Sequence, residues 1–469
     1  MSLNNLTIKS AREGLKKREF SSEELVKTCI EQVKKHNREI NAFLTILEKE
    51  SIIEAKKADE LLRKNTDLPL LGIPIAHKDL FLTKNIKTTA SSKVLENYIP
   101  QYDATVVKKL KDAGAITLGK LNCDAWAHGS SGENSDFNPV KNPWNKSFVP
   151  GGSSSGSAAS VASSMCFAAT GTDTGGSIRL PASFCNVVGL KPTYGRVSRY
   201  GVIAMASSFD SIGHFTKTIE DNAIILNVTA GKDELDATTP NRTVDNYLED
   251  LNKSLKGVKI GVPEEYFSQG LDLKIKEKIE NALSFYEKLG AEIIKVSLPH
   301  AEYAIASYYI IQPAEVSSNL ARYDGIRYGN NRSYFGSEAK RRIMLGTFTL
   351  SAGYYDAYYK KAMQVRTLIK ADFAKVFKEV DVLVSPVSPT LPWKLGEKTA
   401  DPLKMYLSDI YTVTANLAGI PGLSIPVGFE KGLPVGMQIL GPQFSEKLLY
   451  QVGHAFEEKH NFVNERPNL

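Results

Sequence analysis

The sequence predicts an α/β fold with a largely parallel sheet, because short apolar runs alternate with helical patterns along the chain. ATVVKKLKDAG has helical character and leads directly into the apolar run AITLG. Further on, GVKIGV precedes a long helical repeat that ends before AEIIKV. The apolar positions of that repeat are Ile275, Ile279 and Leu283. Strand, helix and strand in this order favour parallel pairing, since parallel strands need a crossover connection.

An amphipathic helix is predicted near the amino terminus. Ser21 stands three residues before Glu24, which is the spacing of a capping box. Leu25, Cys29 and Val33 follow at intervals of four residues and would form one apolar face.

The remaining strands are predicted from apolar runs with turn residues beside them. LPLLGIPIAHKDL contains two prolines in an apolar run, which is typical of a stretch that enters or leaves a sheet. DVLVSP and PGLSIPVGFEKGLPVGMQILG supply late strands, and the second of these runs should form a hairpin around Gly432.

Composition indicates a soluble, globular, cytoplasmic protein. The chain has 469 residues, of which 42% are hydrophobic and 23% are charged, and a net charge of +6 is too diffuse to predict nucleic-acid binding by itself. No basic segment followed by an apolar run begins the chain, and no apolar run is long enough to span a membrane. The cysteines are far apart and form no C-x-x-C pair, so neither a zinc site nor a disulfide framework is expected: Cys29, Cys123, Cys166 and Cys185.

Two short patterns match well-known motifs without their required context. GAITLGKL fits G-x-x-x-x-G-K, but Leu121 stands where a phosphate loop needs a hydroxyl for Mg²⁺, so a strand-to-turn segment is favoured. GSSSG fits the G-x-S-x-G nucleophile elbow, but Pro150 and Gly151 occupy the place of its strand. The histidines that follow have no distinctive setting, which disfavours a Ser-His-Asp triad: His214, His300, His454 and His460.

A second glycine-serine cluster favours a different chemistry. GTDTGGSIRLPA places Ser177 after two glycines, where backbone N–H groups can converge beside the hydroxyl. Such a hydroxyl needs a base, and a lysine can serve when burial lowers its pKa. Lys78 suits this role, and a serine of GSSSG could pass the proton between them. The alternatives are that Lys78 is an exposed cap, Ser153 a turn former and Gly175-Gly176-Ser177 a helix entry.

Four segments together resemble the amidase signature family over nearly the whole chain: GIPIAHKDL, PGGSSSGSAAS, GTDTGGSIRLPASFCNVVGLKPTYGRVS and GLPVGMQILG. The resemblance implies the amidase-signature fold, an α/β fold in which helices cover both faces of a central, mixed, mostly parallel sheet. It implies a single domain over 1–469, with a helical segment over about 1–65 and a catalytic core over about 66–215, followed by carboxy-terminal strands to 469.

The same resemblance implies the catalytic groups, and it implies no metal. Ser177 would be the acyl-forming nucleophile, Ser153 a bridging serine held by a cis peptide after Gly152, and Lys78 the base. The oxyanion N–H groups would come from Thr174, Gly175 and Gly176.

Within the family, SSNLARYDGIRYG, RRIMLGTFTLSAGYYDAYYKKA and NLAGIPGLSIPVG resemble the glutaminase subunits of tRNA-dependent amidotransferases. This implies that glutamine donates ammonia, with Arg342 binding its carboxylate and Asp409 its ammonium; the alternative is that both are surface helix charges. It also implies a heterotrimer in which partner subunits B and C bind the misacylated tRNA and use ATP with Mg²⁺, while this chain binds no cofactor. The tRNA would be glutamyl-tRNA(Gln), with aspartyl-tRNA(Asn) left open.

Three features depart from the family pattern. His77 and Ser155 replace the usual apolar residue and glycine, and the stretch between Tyr328 and Arg341 is shorter than usual. Alternation along a strand predicts that His77 points away from Lys78. Two other functions stay open: a stand-alone amidase with the same triad, and a scaffold without catalysis, which the presence of all three triad residues disfavours.

Overall fold

The computed structural model describes residues 3–268 and 270–469. The strands are β1 (Phe43–Ile46), β2 (Pro74–Lys78), β3 (Ile116–Leu121), β4 (Ala168–Asp173), β5 (Val188–Lys191), β6 (Ser211–Thr216), β7 (Lys259–Pro263), β8 (Glu292–Val296), β9 (Val382–Pro386), β10 (Gly422–Glu430) and β11 (Leu433–Leu440). The helices are α1 (Ile8–Lys17), α2 (Ser22–Ile40), α3 (Glu48–Arg63), α4 (Thr105–Asp112), α5 (Ser155–Ala162), α6 (Arg179–Cys185), α7 (Ile219–Thr229), α8 (Leu273–Lys288), α9 (Ala304–Leu320), α10 (Ser337–Thr349), α11 (Lys361–Val376), α12 (Pro402–Tyr406), α13 (Val413–Ala418) and α14 (Glu446–Glu457), and a π-helical turn covers Tyr355–Lys360.

All the strands join in one mixed sheet with the order β1-β3-β2-β4-β6-β5-β10-β11-β9-β7-β8. Parallel pairing is confined to two groups, β3-β2-β4 and β9-β7-β8. The pairs between these groups are antiparallel.

The expected α/β fold with a mixed sheet is confirmed, but the expectation that most pairs are parallel is wrong. Among the described residues, β1-β3 and the five central pairs are antiparallel, which makes six antiparallel pairs against four parallel ones. The physical reason is that the strand-helix-strand units predict only local pairs, whereas hairpins and long-range pairs build the centre of the sheet.

Helices and connecting segments cover both faces of the sheet. Successive side chains of a strand point to opposite faces, so a strand that is buried at every position is covered on both sides. This holds for β2, β3, β4, β6, β9 and β11. The edge strands β1 and β8, by contrast, keep exposed positions at both ends of the sheet.

The local signals read from the sequence are confirmed at both ends of the chain. The Ser21 side chain accepts from the Glu24 amide and the Glu24 carboxylate accepts from the Ser21 amide, which is the predicted capping box of α2. The hairpin between β10 and β11 turns through Lys431 and Gly432, whose φ angles of 52° and 75° are those of a two-residue turn that matches the strand twist. Within the described residues, no helix combines the length and the apolar character that a membrane crossing needs.

Candidate active site

Lys78 lies at the carboxyl end of β2 and has no exposed surface. Its Nζ is 2.8 Å from Ser153 Oγ, 2.9 Å from Ser154 Oγ and 2.8 Å from Thr172 Oγ1. Among the described residues, no carboxylate forms a salt bridge with it. Burial therefore lowers the pKa of Lys78 from 10.5 to about 8.

The three hydroxyls can satisfy this amine in both of its protonation states. An ammonium has three N–H donors, one for each hydroxyl oxygen, whereas a neutral amine has two donors and accepts one hydrogen bond. Ser154 cannot supply that bond, because its own hydroxyl donates to the Thr172 carbonyl at 3.1 Å. Ser153 and Thr172 are the two hydroxyls that can donate to neutral Lys78.

The chain enters Ser153 through a cis Gly152–Ser153 peptide, as predicted. A side chain at Gly152 would place its Cβ 2.1 Å from Asp124 Oδ2, so only glycine fits there. The Asp124 amide donates to the Ser153 carbonyl at 3.2 Å, and its carboxylate accepts from the Gly132 and Asn134 amides. Burial raises the pKa of Asp124 to about 7.

Ser177 is the only one of the three predicted triad residues that keeps some exposure, 8% against 0% for Lys78 and Ser153. Its backbone is tied to the serine segment, because the Ser154 amide donates to the Ser177 carbonyl at 3.2 Å. The structure therefore brings Lys78, Ser153 and the Ser177 segment together around one buried amine.

Asp173 holds the turn that carries Ser177. Its carboxylate accepts from the Gly176 amide at 2.8 Å, from the Ile178 amide at 3.2 Å and from Arg179 Nε at 3.1 Å. Burial by itself would raise the pKa of Asp173, but the Arg179 guanidinium and the hydrogen bonds outweigh it and lower the pKa to about 2. The carboxylate is therefore ionised whenever the protein is folded near neutral pH.

This arrangement changes the predicted set of oxyanion donors. The Gly176 amide faces the Asp173 carboxylate and is already engaged there, which removes it from the set. Within the part of the chain that the structure describes, the amides of Thr174, Gly175 and Ser177 have no protein acceptor. A side chain at Gly175 would bring its Cβ to 2.7 Å from the Tyr308 side chain, so the backbone at Gly175 lies close against Tyr308.

Arg342 is buried and held by three kinds of contact. Its Nε donates to Glu338 Oε1 at 2.8 Å and its Nη1 donates to Gln312 Oε1 at 2.9 Å. Its guanidinium lies 5.5 Å from the ring centre of Tyr309 and 5.8 Å from that of Tyr406. Against the lowering effect of burial, the nearby Glu338 raises the pKa of Arg342, so the guanidinium stays charged.

Asp409 lies on the other side of Tyr309. Its Oδ2 accepts from the Tyr309 and Ser130 hydroxyls at 2.9 Å each, and burial raises the pKa of Asp409 to about 6. The Thr412 hydroxyl lies 3.1 Å from the Asp409 carbonyl and 2.6 Å from the Gly175 carbonyl, which connects Asp409 to the turn before Ser177.

The alternative that Arg342 and Asp409 are surface charges is wrong, because they are 3% and 5% exposed. Each keeps one atom free for a ligand. Within residues 3–268 and 270–469, Arg342 Nη2 and Asp409 Oδ1 make no hydrogen bond, although the other polar atoms of both side chains are engaged. The site thus presents one open cation and one open anion, and both side chains contact Tyr309.

Several residues of the site were missed by sequence reasoning. Thr172 could have been found, because Thr170 and Thr172 alternate on β4 beside β2, where the Thr170 hydroxyl also accepts from the Lys78 amide. Tyr309, Ser130 and Gln312 had no signal, since they reach the site from distant segments.

The other candidate motifs lie elsewhere. His77 Nε2 is 3.4 Å from Thr117 Oγ1 on β3, on the side away from Lys78 as alternation predicts. Lys120 of GAITLGKL lies inside β3 and donates to the Phe81 carbonyl and the Thr88 hydroxyl, so this segment forms no phosphate loop. In the described chain, none of the four later histidines hydrogen-bonds to a serine of the site: His214, His300, His454 and His460.

Comparisons with known proteins identify a family, similar sequences and similar folds. The family model described as "Amidase" matches residues 24–450. The A subunit of the glutamyl-tRNA(Gln) amidotransferase of Thermoanaerobacter pseudethanolicus is 53% identical over 482 residues, covering 100% of this chain and 99% of that protein. The crystal structure of the A subunit of the glutamyl-tRNA(Gln) amidotransferase from Thermotoga maritima is similar with a TM-score of 0.86 and 43% identity, covering 100% of this chain and 98% of that chain. Native peptide amidase from Stenotrophomonas maltophilia has a TM-score of 0.83 and 29% identity, covering 99% of this chain and 98% of that chain.

Proposed function

The chain belongs to the amidase family, and on that premise we propose that it is the glutamine-hydrolysing subunit of a glutamyl-tRNA(Gln) amidotransferase. One observation supports this chemistry most directly. Lys78 is buried and has a pKa of about 8, and within the described part of the chain it has three hydroxyl partners and no carboxylate partner. At pH 7 about a tenth of such lysines are neutral, compared with fewer than about one in a thousand at the ordinary pKa. Lys78 can therefore act as a base.

The reaction begins with a proton relay. Neutral Lys78 takes the Ser153 hydroxyl proton while Ser153 takes the Ser177 proton, and Ser177 Oγ attacks the side-chain amide carbon of glutamine. The open amides of Thr174, Gly175 and Ser177 receive the developing oxyanion. The relay then returns the proton to the amide nitrogen, the carbon–nitrogen bond breaks and ammonia leaves. Water hydrolyses the γ-glutamyl ester, which releases glutamate and restores the Ser177 hydroxyl.

Arg342 and Asp409 select a free amino acid. The open Arg342 Nη2 binds the glutamine α-carboxylate, and the open Asp409 Oδ1 binds the α-ammonium. Tyr309 lies between the two groups and fixes both, since its ring faces the guanidinium and its hydroxyl donates to the carboxylate. An amide without the α-carboxylate leaves the Arg342 Nη2 donor unpaired, and an amide without the α-ammonium leaves the buried Asp409 carboxylate without a cation, which disfavours the binding of either one.

The remaining chemistry belongs to partner proteins. The amidotransferase A subunits match this chain over their full length, which supports the same place in a multi-subunit enzyme. Subunits B and C of a cytoplasmic heterotrimer would bind the misacylated tRNA and activate its carboxylate with ATP and Mg²⁺, and this chain would supply only ammonia.

The decisive experiment uses a complex reconstituted with Ser177→Ala. We expect glutamine-dependent amidation of glutamyl-tRNA(Gln) to be lost, while amidation with an ammonium salt and ATP stays within about twofold of wild type. Ser163→Ala is the matched control, because this buried hydroxyl has no hydrogen-bond partner in the described structure. If Ser177→Ala retained glutamine-dependent activity, the nucleophile assignment would be wrong.

A stand-alone amidase is the second candidate, and identity disfavours it. The peptide amidase neighbour is 29% identical, whereas the amidotransferase A subunits compared above are 43% and 53% identical. An isolated chain that hydrolyses simple amides at about 10 s⁻¹, the typical enzyme turnover, and gains nothing from partner proteins would favour this candidate instead.

A further inference from the structure

One short segment concentrates the exposed apolar surface of the molecule. Of the 21 large hydrophobic side chains that are exposed in the described chain, seven fall within the 15 residues 344–358. We call this segment the aromatic ridge. Its exposed members are Met344, Leu345, Phe348, Leu350, Tyr354, Tyr355 and Tyr358. An exposed apolar patch of this density is typical of a protein–protein contact surface.

The ridge has an ordered surface. The ring centres of Phe348 and Tyr354 are 4.1 Å apart, and the rings of Tyr354 and Tyr358 stack at 5.9 Å. Tyr355–Lys360 form a π-helical turn, a rare element that is frequent at functional sites. Aromatic side chains held in this way contribute contact area to a partner at a low cost in conformational entropy.

The ridge and the glutamine site share one helix. On α10, Met344, Leu345 and Phe348 face outward, while Arg342 and Gly346 are buried. Gly346 lies so close to α9 that an added Cβ would be 1.8 Å from the Pro313 carbonyl oxygen. A partner bound to the ridge therefore contacts the outer face of the helix that carries Arg342.

The charges around the ridge specify the partner's chemistry. Lys340, Lys360 and Lys361 are exposed beside it, and the exposed anion among them, Asp356, is 3.3 Å from Lys360. A complementary surface has an apolar centre and an acidic rim. A second copy of this chain would bring the lysines of two ridges together, which disfavours self-association.

We propose that the aromatic ridge is the docking surface for a partner subunit of the amidotransferase, one that presents an apolar patch rimmed by Asp and Glu side chains. This inference rests on the proposed function, because that function supplies the partner. The inference adds that a partner docked at the ridge contacts α10, the helix that carries Arg342 of the glutamine carboxylate site.

The test measures assembly with purified subunits B and C of the same enzyme. We expect Phe348→Ser/Tyr354→Ser to raise the dissociation constant at least tenfold in sedimentation measurements. Leu273→Ser is the matched control, since Leu273 is 79% exposed on α8 outside the ridge, and it should stay within twofold of wild type. Lys360→Glu/Lys361→Glu, which leaves the apolar residues intact, should also weaken assembly at least tenfold, and the difference from wild type should shrink at high salt.

The outcomes separate this inference from the proposed function. If wild type assembles and both ridge variants assemble within twofold of it, the ridge is not the docking surface, although the proposed function stands. If wild type itself does not bind subunits B and C, the proposed function fails and this inference fails with it. If wild type forms a dimer that Phe348→Ser/Tyr354→Ser dissociates, the occupant is a second copy and the inference is overturned. Unchanged thermal melting of each variant establishes that the loss of assembly is not unfolding.

Discussion

Thr172 presents its hydroxyl oxygen to Lys78 Nζ at 2.8 Å, which equals the distance from Lys78 to Ser153. The two partners differ in their position on the chain. Ser153 lies in the segment between the cis peptide and α5, whereas Thr172 lies on β4 inside the sheet. Thr172 thus fixes the amine from the sheet side and leaves Ser153 to exchange the proton.

Replacing Thr172 by valine should lower kcat for glutamine hydrolysis by about tenfold to a hundredfold, because the amine loses its fixed acceptor in a buried site. Since the hydroxyl accepts from the ammonium form, its loss also favours neutral Lys78 and lowers the lysine pKa. The acid limb of the kcat profile should therefore move to lower pH. Thr172→Ser keeps the hydroxyl and should retain most of the activity. A valine variant with wild-type kcat and an unmoved limb would contradict this role.

The pH profile of the wild type follows from the same lysine. Since the base must be neutral, kcat/KM should rise about tenfold per pH unit below about 8 and level off above it. The measurement is glutaminase activity of the reconstituted complex between pH 5.5 and 9.5. An acid limb near 6.5 with no further rise would point to a histidine base instead.

The adjacent serines give a matched pair of variants. Ser153→Ala should reduce kcat by roughly 10²–10⁴-fold, because it breaks the relay. Ser154→Ala should cost about tenfold or less, because the Ser154 hydroxyl already donates to the Thr172 carbonyl and only accepts from Lys78. Single-turnover release of ammonia measures both. Equal losses would mean that either hydroxyl can carry the proton.

Arg342→Ala should raise KM for glutamine with little change in kcat. A hydrogen bond to a charged group contributes about 1.5–3 kcal/mol, which corresponds to roughly tenfold to 150-fold in KM. Lys340→Ala is the control on the same helix, since the Lys340 side chain is exposed and donates to the Ser333 carbonyl. If both variants had the wild-type KM, the carboxylate would be bound elsewhere.

Sequence reasoning found the parts of the molecule that depend on local pattern. The capping box of α2, the β10–β11 hairpin and the units around β3, β7 and β8 were all predicted, because each is determined by residues within one short stretch. The sheet order could not be predicted in this way. The β5–β10 pair joins segments more than 230 residues apart, and no local periodicity records such a contact.

The same distinction between local pattern and long-range contact applies to the active site. Lys78, Ser153 and Ser177 came from motifs, and the structure brings their segments together. The engagement of the Gly176 amide by Asp173 depends on the exact path of a turn, which the string GTDTGGS does not specify. That residues 1–469 form a single domain stays a prediction.

Arg179→Met should destabilise the protein by roughly 3–5 kcal/mol, because it leaves a buried carboxylate without its counter-charge. Both residues have no exposed surface, and the guanidinium donates to both oxygens of Asp173 at 3.1 Å. Urea unfolding at pH 7 measures the loss. The same change should lower glutamine hydrolysis, since the Asp173 carboxylate also holds the turn before Ser177.

The pH dependence of that loss identifies its cause. In the wild type the pKa of Asp173 in the folded state, about 2, lies below its pKa in the unfolded state. The ionised Asp173 carboxylate therefore contributes its full stabilisation above about pH 4, and this stabilisation is lost as the pH falls through 2. In the variant that lacks Arg179, burial raises the pKa of Asp173 in the folded state above its pKa in the unfolded state. The variant therefore gains stability relative to the wild type as Asp173 becomes protonated. The difference in unfolding free energy should therefore shrink between pH 7 and pH 4. A difference that stayed constant over this range would mean that Arg179 stabilises the fold through packing, and that its charge opposite Asp173 contributes little.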